Sequence, residues 1–135
     1  MGFELFVHRF RNGMPAPYDR QIAEKIFNRE AIDPSTPLCE VRYADGRAEI
    51  YGAEDDEMDG VMLAHFSGRT VLERVLELAK ETGSLIFWPS DETWAAVTSP
   101  EWIDHSPEDM TQGEEPPVLV HNVDELIEAI GLVFK

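Results

Sequence analysis

The chain has 135 residues, a single cysteine, and 27 acidic against 11 basic residues, which give a formal net charge of −16. This charge excludes nucleic acids and anionic membranes as direct ligands, because both are bound through Lys and Arg, and no apolar run reaches the roughly 20 residues of a membrane-spanning helix. A lone cysteine cannot form an internal disulfide and the first residues do not match a signal peptide, so the sequence predicts one cytoplasmic domain over residues 1–135.

The first part of the chain predicts a strand followed by a helix. Residues 3–10 alternate between polar and apolar side chains, which is typical of a half-buried strand, and residues 12–17 are interpreted as a loop. Asp19 is the predicted N-cap of a helix. The prolines at positions 34 and 37 end this helix, because proline lacks the amide donor. One face of the helix carries its apolar side chains: Ile22, Ala23, Ile26 and Phe27.

The dipeptide Asp45-Gly46 predicts a β-hairpin, because a two-residue turn with positive φ at both positions favours this pair. Alternating residues flank the dipeptide on both sides. A turn at these two positions sets the register of the strands, with Val41 opposite Ile50 and Arg42 opposite Glu49. The two apolar residues then share one face of the hairpin, and the two charged residues share the other.

The second half of the chain predicts further strands and two helices. Thr70 and Glu73 match a capping box that begins a helix, and Gly83 can end it. Asn122 is the predicted N-cap of the last helix. After an acidic loop over residues 54–60, the predicted strands are residues 61–66, 85–88, 94–98 and 118–121.

The order of these elements indicates an α+β fold. Neighbouring hairpins imply antiparallel pairing, while the helices cross between strands. We therefore expect a two-layer sandwich, in which a mostly antiparallel sheet of about six strands carries the helices on one face. The helical side chains expected in its core are Leu72, Leu76, Ile127 and Ile130.

Residue spacing predicts neither a metal site nor a catalytic site. Asp55, Glu57 and Asp59 match the first ligand positions of a calcium-binding loop, but Phe66 stands where that loop requires a bidentate Glu. Cys39 lies on the predicted inward face of the hairpin, so we expect a buried and unreactive thiol. No phosphate-binding glycine loop and no nucleophile motif is present, and no cofactor is predicted. The histidines show no metal-ligand spacing: they are His8, His65, His105 and His121.

The acidic residues are concentrated in the second part of the chain. Residues 1–53 contain seven Lys or Arg and eight Asp or Glu, whereas residues 54–135 contain four and nineteen. Two interpretations of this surplus remain open. The acidic surface keeps a small protein soluble, or it attracts a basic partner protein.

Aromatic residues bracket the most acidic irregular segment. Trp88 and Trp94 precede it, Trp102 lies within it, and one short helix is predicted to start at Ser99-Pro100. Trp is a frequent interface anchor, and neighbouring carboxylates would orient a basic partner. We therefore predict a docking surface formed by residues 54–59 and 99–117. Its predicted partner-binding residues are Asp55, Asp56, Glu57, Asp59, Trp102, Asp104, Glu108 and Asp109.

Several apolar segments resemble those of a known group of proteins. The opening Gly2-Phe3-Glu4-Leu5-Phe6-Val7, then Arg9-Phe10, Gly13 and Pro15, together with Leu85-Ile86-Phe87-Trp88-Pro89, resemble small uncharacterised bacterial α+β proteins. Some members of this group are similar to immunity proteins, which neutralise toxins delivered between bacterial cells. The resemblance implies an α+β fold, and it transfers no site residue to this chain.

The leading hypothesis is a binding protein of the immunity or antitoxin type, which blocks a basic partner protein by occluding it. A cationic nuclease toxin would suit the charge. The alternative is a small enzyme or a ligand-binding domain whose site is assembled from residues far apart in the sequence. A groove that contains a His or a carboxylate with a strongly shifted pKa would favour the alternative. The sequence leaves the oligomeric state open.

Overall fold

A computed structural model describes residues 4–32, 38–53, 56–89, 94–105 and 117–131. Within these ranges the fold is α+β, with a mixed sheet of seven strands and two separate two-stranded ladders. The strands are β1 (Leu5–His8), β2 (Phe10–Arg11), β3 (Met14–Pro15), β4 (Tyr18–Asp19), β5 (Glu40–Tyr43), β6 (Gly46–Tyr51), β7 (Glu57–Met58), β8 (Gly60–Ala64), β9 (Leu85–Phe87), β10 (Ala95–Val97) and β11 (Val118–Leu119). The helices are α1 (Arg20–Asn28), α2 (Arg69–Thr82), α3 (Val123–Ile130) and a 3₁₀ helix (Pro100–His105).

The main sheet has the strand order β11-β10-β9-β1-β8-β6-β5, with β1 at its centre. Every neighbouring pair is antiparallel except β10 and β11, which are parallel. The predicted α+β class is confirmed, and the sheet has seven strands where about six were expected. In the parallel pair, Ala96 is in register with Val118 and Val97 with Leu119.

The main core lies between one face of the sheet and the helices. Leu5 and Val7 of β1 are fully buried in one cluster with the apolar side chains of α1, α2 and α3. Leu72 is fully buried and Leu76 is 6% exposed, so the prediction for α2 is confirmed. The prediction for α3 is wrong in detail, since its fully buried residue is Leu126. Two residues expected in the core only pack against its margin: Ile127 and Ile130.

A smaller cluster covers part of the opposite face of the sheet. Leu85, Ala95 and Val97 alternate along β9 and β10 with residues of the main core, so they point to the other side. The 3₁₀ helix packs on them through Trp102 and Ile103. The sequence predicted the start of this helix correctly, and the cluster fixes Trp102 in place.

The hairpin β5–β6 has a different register from the predicted one. Val41 pairs with Ala48, and Tyr43 pairs with Gly46, so the turn residues are Ala44 and Asp45. Both turn residues have ordinary negative φ values. The physical reason is contact with the loop before α2, because a Cβ at Gly46 would lie 2.0 Å from the carbonyl oxygen of residue 67.

The register error moves the pairing by two residues, so the faces of the hairpin are as predicted. Arg42 lies opposite Arg47 instead of Glu49, while the apolar side chains still point into the core. Cys39 is exposed, which contradicts the expectation of a buried thiol. The strand begins only at Glu40, so Cys39 lies before the regular alternation of faces.

Helix α2 begins without the predicted capping box. Its N-cap is Gly68, which has no side chain to accept a hydrogen bond, and Thr70 already lies inside the helix. The carboxylate of Asp45 caps the helix instead, since it accepts from the amides of Arg69 at 2.9 Å and Thr70 at 3.0 Å. The helix ends at Gly83 in the left-handed conformation, as predicted.

The other predicted caps are confirmed. Asp19 accepts from the amide of Gln21, and Asn122 accepts from the amide of Glu125. The segment expected as a loop after β1 is a tight hairpin, in which Asn12-Gly13 connects β2 to β3. Both turn residues have positive φ, at 53° and 79°, which is the conformation that an Asn-Gly pair favours.

Candidate functional site

The structure describes some of the predicted partner-binding residues and not others. Asp55, Glu108 and Asp109 lie outside the described residues. Asp104 belongs to the 3₁₀ helix. The remaining predicted residues fall into two regions, one around β7 and the other at Trp102.

The region around β7 forms an acidic groove at the start of α1. The ladder β4–β7 places Glu57 opposite Asp19. The amide of Arg20 donates to the carbonyl of Asp56 at 2.9 Å, and the two side chains form an ion pair at 3.4 Å. The resulting groove has a volume of about 430 Å³ and is lined by Asp19, Arg20, Gln21, Asp56 and Glu57.

The carboxylates of this groove face the solvent. The side chain of Asp56 is 97% exposed, and Glu57 is also exposed. An exposed ion pair such as Arg20–Asp56 contributes little to stability, about 0–1 kcal/mol, so Asp56 can exchange this partner for an external cation at low cost. The three carboxylates that line the groove outnumber its single arginine, so the groove attracts cations.

Trp102 is held inside the fold by a neighbouring cation. The guanidinium of Arg11 lies 4.2 Å from the centre of the indole ring, and it donates to the carbonyls of Thr82 and Gly83. A Cβ at Gly83 would lie 2.7 Å from this indole. The half-buried ring therefore has a structural role in the smaller cluster, and only its remaining exposed part is accessible to a partner.

The hairpin β2–β3 connects the two regions. The amide of Arg9 donates to the carbonyl of Asp59 at 2.8 Å on one side. On the other side, the amide of Asn12 donates to Nδ1 of His105 at 3.0 Å, and the amide of Gly13 donates to its carbonyl. The structure therefore places Asp59 and the Trp102 region against the same hairpin, which the sequence had suggested only as a loop.

His8 lies among aromatic rings on the sheet face opposite the main core. Its ring centre is 5.5 Å from that of Phe87, which stacks on Phe6 at 5.0 Å. Burial lowers the pKa of His8, and the nearby carboxylate of Asp59 opposes this effect only in part. His8 is therefore neutral at physiological pH, and it lines neither this acidic groove nor the one described next.

A second groove lies between the edge strand β11 and helix α3, and it contains none of the predicted residues. It has a volume of about 350 Å³ and combines apolar walls with two carboxylates. Leu119 is 39% exposed on the edge strand, and Glu128 is exposed on α3. In the sequence, the spacing of apolar and polar residues in α3 could have indicated the helix face that carries Glu125 and Glu128. The position of β11 at the edge of the sheet follows only from the strand order. The lining residues are Val118, Leu119, Val120, His121, Glu125, Glu128 and Ala129.

The arginines of the chain are all used within the fold. Six form ion pairs with carboxylates, and two donate to backbone carbonyls. The acidic residues far outnumber these partners, so negative charge remains on the surface without a matching cation. The six ion-paired residues are Arg20, Arg29, Arg42, Arg47, Arg69 and Arg74, and the other two are Arg9 and Arg11.

The described residues contain no cluster of three or more His, Cys, Asp or Glu that could hold a metal ion. Within the same part of the chain, no helix is both long enough and apolar enough to cross a membrane. No protein-family model matches this chain, and neither a curated protein nor a solved structure matches it.

Proposed function

We propose that this protein is a cytoplasmic binding protein that occludes a basic partner protein, in the manner of an immunity or antitoxin protein. The observation that carries the proposal is the internal use of every arginine, because it leaves the acidic surplus free to face a partner. A surface of one sign attracts a partner of the opposite sign over distances of about 8–10 Å at physiological salt.

The acidic groove is the part of the fold where we propose that the partner is attracted. Glu57 begins β7, which pairs with β4, and the carbonyl of Asp56 accepts from the amide of Arg20, so their backbone positions are fixed before a partner arrives. A backbone that is already ordered loses little conformational freedom on binding, which favours affinity. We therefore propose Asp56, Glu57 and Asp59 as the described part of the docking surface, with Trp102 at its margin.

The proposal of an enzyme has less support from the geometry. It requires an acid or base with a shifted pKa inside a groove, where a substrate could reach it. His8 has a lowered pKa, but it lies outside both grooves. Glu125 lines the second groove, and its pKa is lowered by hydrogen bonds from His121, which makes it unsuited to general acid catalysis and weakens it as a base.

The test is capture of a partner on immobilised protein, followed by binding measurements with the purified partner. We expect a basic protein that binds in a one-to-one ratio, with an association rate that falls steeply as salt concentration rises. An acidic or neutral partner whose association ignores salt would refute the proposal. Turnover of a small molecule by the isolated chain would favour the enzyme instead.

Two matched double variants distinguish the effect of the groove on capture from the effect of the overall charge. Asp56→Asn with Glu57→Gln removes two charges from the groove. Glu4→Gln with Glu81→Gln removes two charges elsewhere, at carboxylates that form no ion pair among the described residues. We expect the first pair to slow capture clearly more than the second, and equal effects would show that the groove has no special role.

A further inference from the structure

Strand β11 ends the main sheet and presents backbone groups that the sheet does not use. The amide of Val120 donates to the carbonyl of Val97 at 2.9 Å, and Val97 is in register with Leu119. Hydrogen-bonding directions alternate along a strand, so the N–H and C=O of Leu119 point away from β10. Among the described residues no further strand pairs with this edge.

The groove beside this edge has two chemically different sides. Val118 packs against the main core, on the same face of the sheet as α3. Leu119 alternates with it and points to the other face, where 39% of its surface is exposed. A strand added to β11 would therefore direct alternate side chains toward α3 and the others toward Leu119.

The side toward α3 is acidic. Glu128 is exposed and makes no ion pair within the described part of the chain. Glu125 accepts from the amide of His121 at 2.6 Å and from its ring at 3.0 Å, which holds its carboxylate in place and keeps its pKa low. Two cations near α3 are already bound: Lys80 donates to the carbonyl of His121 at 3.4 Å, and Arg69 forms an ion pair with Asp124 at 2.7 Å. Of the residues that line the groove, none is Lys or Arg.

We infer that an extended segment of the basic partner docks along β11 as an added strand, with basic side chains toward Glu125 and Glu128 and apolar side chains beside Leu119. This inference rests on the proposed function, and it specifies how the partner is recognised. Backbone hydrogen bonds supply affinity in strand addition, and alternate side chains supply specificity. A second copy of this chain is a poor occupant, because each copy carries a net charge of −16.

The test uses a labelled octapeptide of alternating lysine and valine, with its ends blocked, and measures fluorescence anisotropy. Residues of a strand that point their amides toward β11 all have their side chains on one face. Methylating the amide nitrogens of all lysines, or of all valines, therefore removes the donors on one edge of the peptide only. We expect one methylated isomer to bind about three- to tenfold more weakly than the other, since it lacks the donor to the carbonyl of Leu119.

Equal binding of the two isomers would overturn strand addition, because binding by charge alone does not distinguish them. Equal binding of a peptide of alternating glutamate and valine would overturn the basic specificity. Neither result touches the proposed function, which is tested by capture of the whole partner and by the Asp56 and Glu57 variants. Failure of the proposed function is also distinguishable from failure of this inference, because the peptide can still bind when no basic protein is captured.

Two substitutions test the edge from the side of the protein. Leu119→Pro removes an amide donor that the fold does not use, and proline is tolerated on the free side of an edge strand. We expect it to weaken binding of the unmethylated peptide about three- to tenfold relative to Leu119→Ala, which keeps the donor. Should Leu119→Pro fail to fold, the two methylated isomers give the same answer on the unaltered protein.

Discussion

Replacement of Asp45 should destabilise the protein by detaching the cap of its longest helix. Asp45 lies in the β5–β6 turn, and its carboxylate accepts from the first amides of α2, where Gly68 offers no side chain. Asp45→Ala leaves both amides without this acceptor. Asp45→Asn keeps an acceptor but removes the charge, which interacts favourably with the positive end of the helix dipole.

The magnitude follows from the capping contacts. Loss of an N-cap acceptor costs about 0.5–2 kcal/mol, and both amides here are within ordinary hydrogen-bond distance of a charged oxygen. Asp45 is exposed, so water screens the interaction and can replace part of it. We therefore expect a loss of about 1 kcal/mol for Asp45→Ala and about half of that for Asp45→Asn.

Acid should reduce the difference in stability between the variants and the unaltered protein. Burial alone would raise the pKa of Asp45, but hydrogen bonds from Thr70 and Arg69 outweigh it and lower the pKa below its usual value. A lowered folded-state pKa means that the stabilisation is complete above the unfolded pKa of about 4 and is lost as pH falls through the folded value. The effect of Asp45→Ala should thus be full at neutral pH and should shrink as the pH falls below about 4.

Urea denaturation followed by circular dichroism measures these changes, and thermal melting should show a fall of about 3–4 °C per kcal/mol for a chain of this length. Glu81→Gln is the matched control, because it removes one charge from the far end of the same helix without removing a cap. A free energy of unfolding for Asp45→Ala equal to that of Glu81→Gln would refute the capping role.

Three further outcomes are expected. Leu76→Ala should lower the free energy of unfolding by about 2–5 kcal/mol, measured by denaturation, because it opens a cavity at a residue that is 6% exposed. Gly46→Ala should cost about 1–3 kcal/mol in the same assay, because its Cβ would meet a backbone oxygen at 2.0 Å. Asp56→Asn with Glu57→Gln should lower the association rate with a basic partner more than it changes the dissociation rate, as measured by stopped-flow kinetics.

The elements that depend on local patterns could be predicted from the sequence. Asp19 and Asn122 cap their helices because the acceptor and the amide lie within a few residues of each other. Gly83 ends α2 because only local backbone geometry decides that position. The alternation of apolar residues also identified the strands of the sheet, with ends shifted by one or two residues.

Features that depend on distant contacts could not be predicted. Asp45-Gly46 has the composition of a hairpin turn, but Gly46 is needed where the strand meets the backbone of residue 67. Thr70 and Glu73 have the spacing of a capping box, but the carboxylate of Asp45 from the β5–β6 turn caps the helix instead. In both cases a tertiary contact overrides a local preference, and the sequence does not show which residues meet.

The candidate site also combines features that local patterns predict with features that depend on distant contacts. The charge of residues 56–59 was evident from composition, whereas their attachment to the start of α1 depends on the β4–β7 ladder. The second groove was missed because β11 becomes an edge only through the parallel pairing with β10. Trp102 was predicted as a partner-binding residue, and the contact with Arg11 that holds it within the fold joins residues 91 positions apart.

The kinetic prediction for Asp56 and Glu57 follows from the exposure of their carboxylates. Charges that stay hydrated contribute mainly to long-range attraction, which raises the association rate, whereas dissociation depends on contacts that are desolvated in the complex. Neutralising both should therefore slow association and flatten its dependence on salt, while folding is unchanged or slightly improved by reduced repulsion. The control Glu4→Gln with Glu81→Gln has the same net charge as the groove variant, and it should leave most of the association rate intact. An association rate that is equal for the two double variants would return residues 56–59 to a role in solubility alone, and an effect confined to dissociation would place these carboxylates inside the contact instead of around it.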